Sequence, residues 1–159
     1  MNADQQQLRG LFDAHGQQVY RRALRLLGNP ADAEEAMQEV FIRASQNLDL
    51  LQHGHVIRWL YRTTTNYCLN LMRDRKRRRE LLEENPPPPP TDTRTPDAML
   101  TLRALLAKAD DKEAQAVTYV YVDQLSQTEA ADLMGISVRS LAYLLSSFRT
   151  WAKAQTGAA

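Results

Sequence analysis

Residues 29–44 read NPADAEEAMQEVFIRA, and this stretch predicts an amphipathic helix with a well-marked start. Asn29 is suited to cap the helix, Pro30 fits its first position, and Asp32 lies near the positive end of the helix dipole. Acidic residues recur on one side at spacings of three and four, while apolar residues occupy the other side. The apolar side is predicted to face a core, and the acidic side to face either solvent or a basic protein surface.

The rest of the chain also carries apolar residues at helical spacing, and strand signals are nearly absent. The first helix is predicted to end at Gly28, and the helix that begins at Pro30 is predicted to continue to about Asn47. Residues 48–55 are predicted to form a loop around Gly54. Further helices are predicted at residues 5–27, 56–84, 98–109, 112–122, 128–134 and 138–154. The sequence therefore predicts an all-α fold.

Five consecutive prolines, Pro86–Pro90, divide these helices into two groups. Proline cannot continue a helix, because it lacks the backbone N–H group and its ring clashes with the preceding turn. A proline run favours extended polyproline II and acts as a semi-rigid spacer. Three segments are therefore predicted: a helical domain at residues 1–84, a proline-rich linker at 85–97 and a second helical domain at 98–159.

Charge is unevenly distributed along the 159 residues. The formal net charge is +1, yet residues 58–79 hold eight Arg or Lys side chains and one acidic residue. Such a concentration is typical of a segment that contacts nucleic acid. The single cysteine excludes an internal disulfide, and no apolar run approaches the ~18 residues that a membrane span requires. We expect a soluble, cytoplasmic protein with no membrane insertion.

The predicted helix at residues 56–84 has an apolar side and a basic side on which arginines and asparagines follow one another. The basic side comprises Arg58, Arg62, Asn66, Asn70, Arg73 and Arg77. Cationic groups that follow a phosphate backbone, with amides and aromatic rings between them, suit single-stranded nucleic acid. Trp59 is equally suited to the core and to stacking on a base. A solvated charged surface is the simpler alternative for the whole side.

No group of residues predicts an enzyme active site. His53 and His55 flank Gly54 without nearby residues that would complete a metal site, and His15 lies apart from them. Cys68 falls on the apolar side of its helix, as a buried thiol would. The sequence contains no phosphate-binding glycine loop and no recognisable catalytic triad. The protein is predicted not to be an enzyme and to need no metal or cofactor.

Residues 125–141, LSQTEAADLMGISVRSL, predict two helices joined by a tight turn. Ser126 and Glu129 form a capping-box pattern at the start of the first helix. Gly135 suits the turn, and Ser137 is placed to cap the last helix. Two helices with a short glycine-containing connection are typical of a helix-turn-helix, a motif that places its second helix in the major groove of DNA.

Residues 29–44, together with residues 59–78, WLYRTTTNYCLNLMRDRKRR, strongly resemble region 2 of bacterial sigma factors of the extracytoplasmic-function (ECF) type. Residues 125–141 resemble region 4 of the same family, and the order of the segments also matches. The resemblance covers nearly the whole chain. It implies a sigma factor that binds core RNA polymerase and directs it to promoter DNA. Region 2 would recognise and melt the minus-ten element, and region 4 would bind the minus-thirty-five element.

The resemblance also implies roles for individual residues. The segment implied to bind polymerase includes Asp32, Glu35, Gln38, Glu39 and Phe41. The region 2 residues implied to contact DNA are Arg58, Arg62, Thr63, Asn66, Asn70, Arg73, Arg75, Lys76 and Arg77, of which the last three belong to a cluster that would hold the DNA backbone. The region 4 candidates are Thr128, Arg139, Ser140, Tyr143, Ser147 and Arg149.

The last predicted helix departs from the family pattern, in which several Lys or Arg residues grip DNA. Arg139, Arg149 and Lys153 are retained. Ala142, Ser147 and Thr150 stand where a basic residue is often found. Phosphate contacts supply much of the affinity for DNA, so we expect weak or unusual recognition of the upstream element.

Two other functions remain open from the sequence. A stand-alone helix-turn-helix regulator would bind duplex operator DNA without polymerase, with the N-terminal helices mediating dimerisation. The resemblance also implies an anti-sigma factor as a partner, since family members are commonly held inactive by one. Leu144 and Trp151 are apolar residues of the last helix that are expected to be partly exposed, and they would suit such a partner.

Overall fold

The computed structural model describes residues 2–52, 54–82 and 97–157, with only the backbone described for Asp97. The helices, in chain order, are α1 (Ala3–Leu27), α2 (Pro30–Ser45), α3 (Leu48–Leu51), α4 (Val56–Leu82), α5 (Asp97–Lys108), α6 (Asp111–Val117), a π-helical segment (Thr118–Val122), α7 (Gln127–Met134) and α8 (Val138–Thr156). No strand occurs in these ranges, and the predicted all-α class is confirmed.

The predicted boundary between the first two helices is confirmed in detail. Gly28 adopts the left-handed conformation, with φ of 72°, and donates its N–H to the Leu24 carbonyl at 2.8 Å. Glycine tolerates this conformation because it has no Cβ. The Asn29 side chain accepts a hydrogen bond from the Asp32 N–H at 3.1 Å, and Pro30 occupies the first turn. These two signals fix where α1 ends and α2 begins.

The loop predicted at residues 48–55 contains a short helix, α3. Leu48 and Leu51 are buried, and Leu51 belongs to the core that α1, α2 and α4 also supply. Four residues are too few to produce a periodic pattern, so the helix could not be predicted from spacing. The expectation of a loop was therefore wrong for Leu48–Leu51, while His53 lies outside the described residues.

The helix predicted at residues 112–122 changes hydrogen-bond pattern at Thr118. Residues 118–122 are π-helical, and the Asp123 N–H donates to the Thr118 carbonyl at 2.9 Å, five residues earlier. The wider turn leaves Tyr119 and Val122 buried while Tyr121 is half exposed. A π-helical segment is rare and has no sequence signature, so the sequence predicted an ordinary helix here.

The described residues group into two compact units. The first comprises residues 2–71, and the second comprises residues 72–82 and 97–157. The predicted linker, 85–97, lies outside the described residues except for Asp97, which begins α5. The predicted boundaries of the two domains therefore stay predictions.

The core of the first unit is built from one side of each of its four helices. Its buried members are Val19, Val40, Phe41, Ala44, Leu51 and Leu60. Leu8, Leu11, Met37, Val56 and Trp59 pack against them while remaining partly exposed. This core holds α2 and the N-terminal half of α4 by their apolar sides, which leaves the opposite sides available for contacts.

In the second unit, the predicted helix-turn-helix is present as α7 and α8. The Ser126 side chain accepts from the Glu129 N–H at 3.1 Å, and the Glu129 carboxylate accepts from the Ser126 N–H at 3.3 Å. Gly135 has φ of 68° at the turn, and Ser137 accepts from the Ser140 N–H at 3.0 Å. The predicted capping box of α7, the turn at Gly135 and the Ser137 cap of α8 are confirmed. Among the described helices, none is long and apolar enough to cross a membrane.

Candidate nucleic-acid and partner interfaces

The basic side of α4 begins with four exposed side chains at successive spacings of four residues: Arg58, Arg62, Asn66 and Asn70. Residues four apart on a helix lie above one another, so these guanidinium and amide groups share one side. Thr63 lies beside them and is half-buried. We call these five residues the reading side of α4. Their side chains provide both cations and hydrogen-bonding groups on one exposed surface.

The opposite side of α4 is buried and contains unusual polar residues. Leu60 and Cys68 are buried, with 4% and 0% of their surface exposed. Thr64 and Thr65 are completely buried, and the Thr64 hydroxyl donates to the Leu60 carbonyl at 2.6 Å. A buried hydroxyl needs such a partner, because an unpaired polar group in a core is destabilising. Because this side of α4 is buried in the core, the reading side on the opposite face points toward solvent.

A cleft of about 360 Å³ opens between α3 and the reading side. It is lined by Leu50, Leu51, His55, Arg58, Trp59, Arg62, Thr63 and Asn66. Trp59 packs against the core with one part and lines the cleft with another, so its two predicted roles do not exclude each other. A cleft lined by apolar, cationic and amide side chains suits a planar aromatic group that carries a phosphate.

The C-terminal turns of α4 carry the remaining cations, among which Arg73 and Lys76 form ion pairs with acidic residues. Arg73 is mostly buried and donates to Asp111 Oδ1 at 2.6 Å, a contact within the second unit. Lys76 pairs with Glu80, and this contact lowers the pKa of the Glu80 carboxyl. Arg75 and Arg77 are exposed. Arg73 and Lys76 would have to exchange a carboxylate for a phosphate in order to bind DNA.

The acidic side of α2 carries four of the five residues that the resemblance implies in polymerase binding. Glu35 and Gln38 are exposed, and Asp32 and Glu39 are half-buried. Phe41 does not lie on this side: only 6% of it is exposed, and its ring meets Phe12 edge-on at 5.2 Å between centroids. Phe41 therefore supports α2 from within the core instead of presenting its side chain to a partner.

Two residues that the sequence did not single out, Ile42 and Arg43, belong to this acidic surface. Ile42 is 53% exposed, an unusual position for isoleucine. Arg43 donates from Nε to Glu39 Oε1 at 3.1 Å, and its guanidinium carbon lies 5.5 Å from the centre of the Tyr67 ring of α4. Glu39 and Arg43 are four residues apart on α2, so the sequence could have predicted this ion pair. The contact between Arg43 and Tyr67 joins two helices, and no sequence pattern within either helix predicts it.

The Tyr67 side chain thus links α4 to the acidic side of α2. Burial raises the pKa of its phenol, and the negative charges of Glu35 and Glu39 raise it further. Arg43 lowers this pKa slightly, because a nearby cation favours the phenolate. The phenol consequently stays protonated to a higher pH than usual, and it connects the acidic surface of α2 to the helix that carries the reading side.

The candidates in the second unit lie mainly on the exposed surface of α8. Arg139, Ser140, Tyr143 and Arg149 are exposed, Ser147 is half-buried, and Thr128 is exposed on α7. Tyr143 has 73% of its surface exposed. Arg149 donates from Nη2 to the Tyr121 hydroxyl at 2.9 Å. Leu144 and Trp151 are both half-buried, and Trp151 packs against Phe148 at 5.7 Å between ring centroids.

Within the described ranges, no three His, Cys, Asp or Glu side chains lie close enough together to hold a metal ion.

Comparison with known proteins identifies the first unit independently. Residues 11–78 match the family model of sigma-70 region 2. The ECF RNA polymerase sigma factor SigE of Mycolicibacterium smegmatis is 45% identical over 67 residues, which are 42% of this chain and 26% of SigE. The match therefore spans about a quarter of that relative.

Two relatives from Bacillus subtilis match over most of their length. The ECF RNA polymerase sigma factor SigW is 27% identical in an alignment of 151 positions that covers 85% of this chain and 81% of SigW. The ECF RNA polymerase sigma factor SigM is 24% identical over 132 residues, 80% of this chain and 81% of SigM. The similarity thus continues past region 2 into the helix-turn-helix unit. Residues 11–78 are thus similar to sigma-70 region 2, and most of the chain is similar to ECF RNA polymerase sigma factors.

Proposed function

We propose that this protein is a promoter-specificity subunit that binds core RNA polymerase in the cytoplasm and directs transcription initiation. The observation that carries this proposal is the reading side of α4, where two arginines and two asparagines are exposed on one side beside a cleft. The names of the relatives, all RNA polymerase sigma factors, point in the same direction.

In this proposal the reading side contacts the minus-ten element after its strands separate. Arg58 and Arg62 neutralise phosphates, while Asn66 and Asn70 hydrogen-bond to base edges. The cleft receives an unstacked base, which stacks on the indole of Trp59 among the lining residues. Base stacking on an aromatic side chain contributes about 1–3 kcal/mol per base, enough to favour the open state locally.

The acidic side of α2 docks on a basic surface of core polymerase. Glu35 and Gln38 are exposed there, and Ile42 adds an exposed apolar group one turn further on. An apolar residue surrounded by charged and polar groups is a common centre of a protein interface. Docking through α2 leaves the reading side free for DNA, because α4 presents that side away from their shared core.

The exposed surface of α8 binds the minus-thirty-five element as duplex DNA. Arg139, Ser140 and Tyr143 lie near the N-terminus of α8, the end of a recognition helix that usually meets base edges. Arg149 lies further along and contacts phosphate. The protein contributes recognition and strand opening, and phosphodiester chemistry belongs to the core enzyme.

Transcription reconstituted with core polymerase tests the proposal. The purified chain should give a promoter-specific transcript from its own cognate promoter, and core polymerase alone should give none. A gel shift without polymerase separates the proposal from the stand-alone regulator, which would bind duplex DNA unaided at low concentration. Tight binding by the free chain together with no transcript would refute the proposal.

An anti-sigma factor remains an expectation from the family resemblance. Leu144 and Trp151 are half-buried, in agreement with the partial exposure expected of them, and their exposed parts would suit such a partner. Affinity purification from cells that yields both polymerase and a second, polymerase-free complex would support it.

A further inference from the structure

Arg22 of α1 is buried in the first unit, with only 2% of its surface exposed. A guanidinium group remains charged in proteins, and burying it is unfavourable unless hydrogen bonds replace those it made with water. Long charged side chains are rarely buried without a specific set of contacts. The burial of Arg22 therefore indicates that its guanidinium makes specific contacts in the core.

Two hydrogen bonds of Arg22 converge on one turn of α4. Nη1 donates to the Tyr61 carbonyl at 3.1 Å, and Nη2 donates to the Thr65 hydroxyl at 2.8 Å. The guanidinium carbon also lies 4.0 Å from the centre of the Tyr61 ring, within the range of a cation–π contact. One planar group thus holds two positions four residues apart, which fixes both the rotation and the height of α4.

The turn that Arg22 holds is the turn that carries the centre of the reading side. Arg62 follows Tyr61 directly, and Asn66 follows Thr65 directly. A helix with side chains is about 10–12 Å wide, so a rotation of about 10° moves a side-chain tip by about 1 Å. A binding site tolerates errors of roughly 0.5 Å or 10–20°. Small rotations of α4 would therefore reach the contacts of Arg62 and Asn66.

We propose that Arg22 is a positioning residue for base recognition, which holds the reading side at the rotation that places Arg62 and Asn66 against the separated strand. This role rests on the function proposed above for the reading side. Arg22 touches no DNA itself; it acts through the Tyr61 carbonyl and the Thr65 hydroxyl. Lysine cannot replace it, because a single ammonium group lacks the planar pair of donors that bridges these two oxygens.

The test measures base discrimination by holoenzyme on fork-junction DNA that presents the minus-ten element as a single strand. The ratio of affinities for the cognate base and a mismatched base is compared for the wild type, R22K and R21K. Arg21 is the exposed neighbour of Arg22, so R21K is the matched control. We expect R22K to lower this ratio roughly tenfold, about one lost base contact, and R21K to leave it within twofold.

This ratio separates positioning from a general loss of folded protein. Partial unfolding lowers the active fraction equally for both DNAs, so the ratio would stay constant while total binding fell. A constant ratio for R22K would overturn the proposal.

T65V provides a second route if R22K does not assemble with polymerase. Valine nearly matches threonine in shape but removes the oxygen that accepts from Arg22, and we expect a smaller fall in the same ratio. An unchanged ratio for T65V, with R22K unable to assemble, would also overturn the proposal. A failure of the proposed function is distinct, because wild-type holoenzyme would then give no promoter-specific binding at all.

Discussion

The two helices proposed to contact DNA, α4 and α8, differ in the charge of their exposed surfaces. On α4, cations and amides share one exposed side, and further Arg and Lys residues follow toward its C-terminus. On α8, the exposed surface is mostly hydroxyl groups, one tyrosine and alanines, with cations at 139, 149 and 153. Phosphate contacts govern affinity, and base contacts govern specificity. The difference suggests that α4 supplies most of the affinity of the protein for promoter DNA, while α8 selects among sequences with little electrostatic help.

The largest expected effect comes from removing the amides of the reading side. The double variant N66A/N70A should lower open-complex formation by about 30-fold or more, because good base contacts contribute about 1–3 kcal/mol each and two are removed. Permanganate footprinting of separated strands measures the effect, and binding to core polymerase should be unchanged. Q17A, which removes an exposed amide of α1, is the control. Normal opening by the double variant would refute the assignment of Asn66 and Asn70.

A smaller effect is expected from the arginines of α4, and its signature is salt dependence. R58A/R62A should reduce the slope of log affinity against log salt for fork-junction DNA by about 1.4, since each contact with a single strand contributes about 0.7. R139A/R149A should leave the slope for that DNA unchanged, provided that the DNA lacks the upstream element. Equal slopes for the wild type and R58A/R62A would show that Arg58 and Arg62 do not contact phosphates, which would contradict the proposal that α4 supplies most of the affinity.

The comparison of the two helices also predicts that a cation added to α8 increases its affinity for upstream DNA. Thr150 is exposed, and T150K should strengthen binding to DNA that carries the upstream element, steepening its salt dependence by about 0.9 if one phosphate is reached. A104K adds the same charge to an exposed position of α5 and serves as the control. If both variants gained equally, the effect would come from net charge, and α8 would not be limited by its few cations.

The smallest expected effect concerns how α4 is fixed to α2. The folded protein raises the pKa of the Tyr67 phenol, whereas the unfolded chain loses that proton near pH 10. The stability due to Tyr67 is therefore fully present below about pH 10 and is lost as the pH rises through the higher folded value. Urea midpoints of the wild type and Y67F, compared from pH 8 to pH 11, should converge or cross at the alkaline end.

The matching control for this titration changes the charges that surround the phenol. E35Q/E39Q removes two of the negative charges that raise the folded pKa, so the difference in urea midpoint between this variant and a corresponding Y67F triple variant should change less between pH 8 and pH 11. A gap between the wild type and Y67F that stays constant over this range would show that Tyr67 does not titrate differently in the folded protein.

Most of the helical architecture could be predicted from the sequence, because helix ends carry local signals. Gly28, Asn29, Ser126 and Ser137 each act within four residues of their own position, and each behaves as predicted. The short helix α3 was missed because its stability comes from Leu51 packing in a core formed by distant segments. The π-helical segment was missed because no residue type specifies it.

The candidate sites were predictable where they follow the period of one helix. The spacing of four along α4 can be read in the sequence, and it is enough to place Arg58, Arg62 and Asn66 on one side. Arg22 could not be predicted in the same way, because a charged residue is normally assigned to the surface. Its burial depends on the Tyr61 carbonyl and the Thr65 hydroxyl, about forty positions later in the chain. Contacts between helices, more than periodicity within them, determine such positions.

The buried thiol of α4 gives access to the dynamics of the first unit. Cys68 is the single cysteine of the chain, and none of its surface is exposed. An alkylating reagent can react with it only after α4 separates from its neighbours, so the labelling rate reports the opening free energy of this unit under native conditions. A cysteine engineered elsewhere on the surface would accept a fluorophore selectively, without replacement of the natural residue.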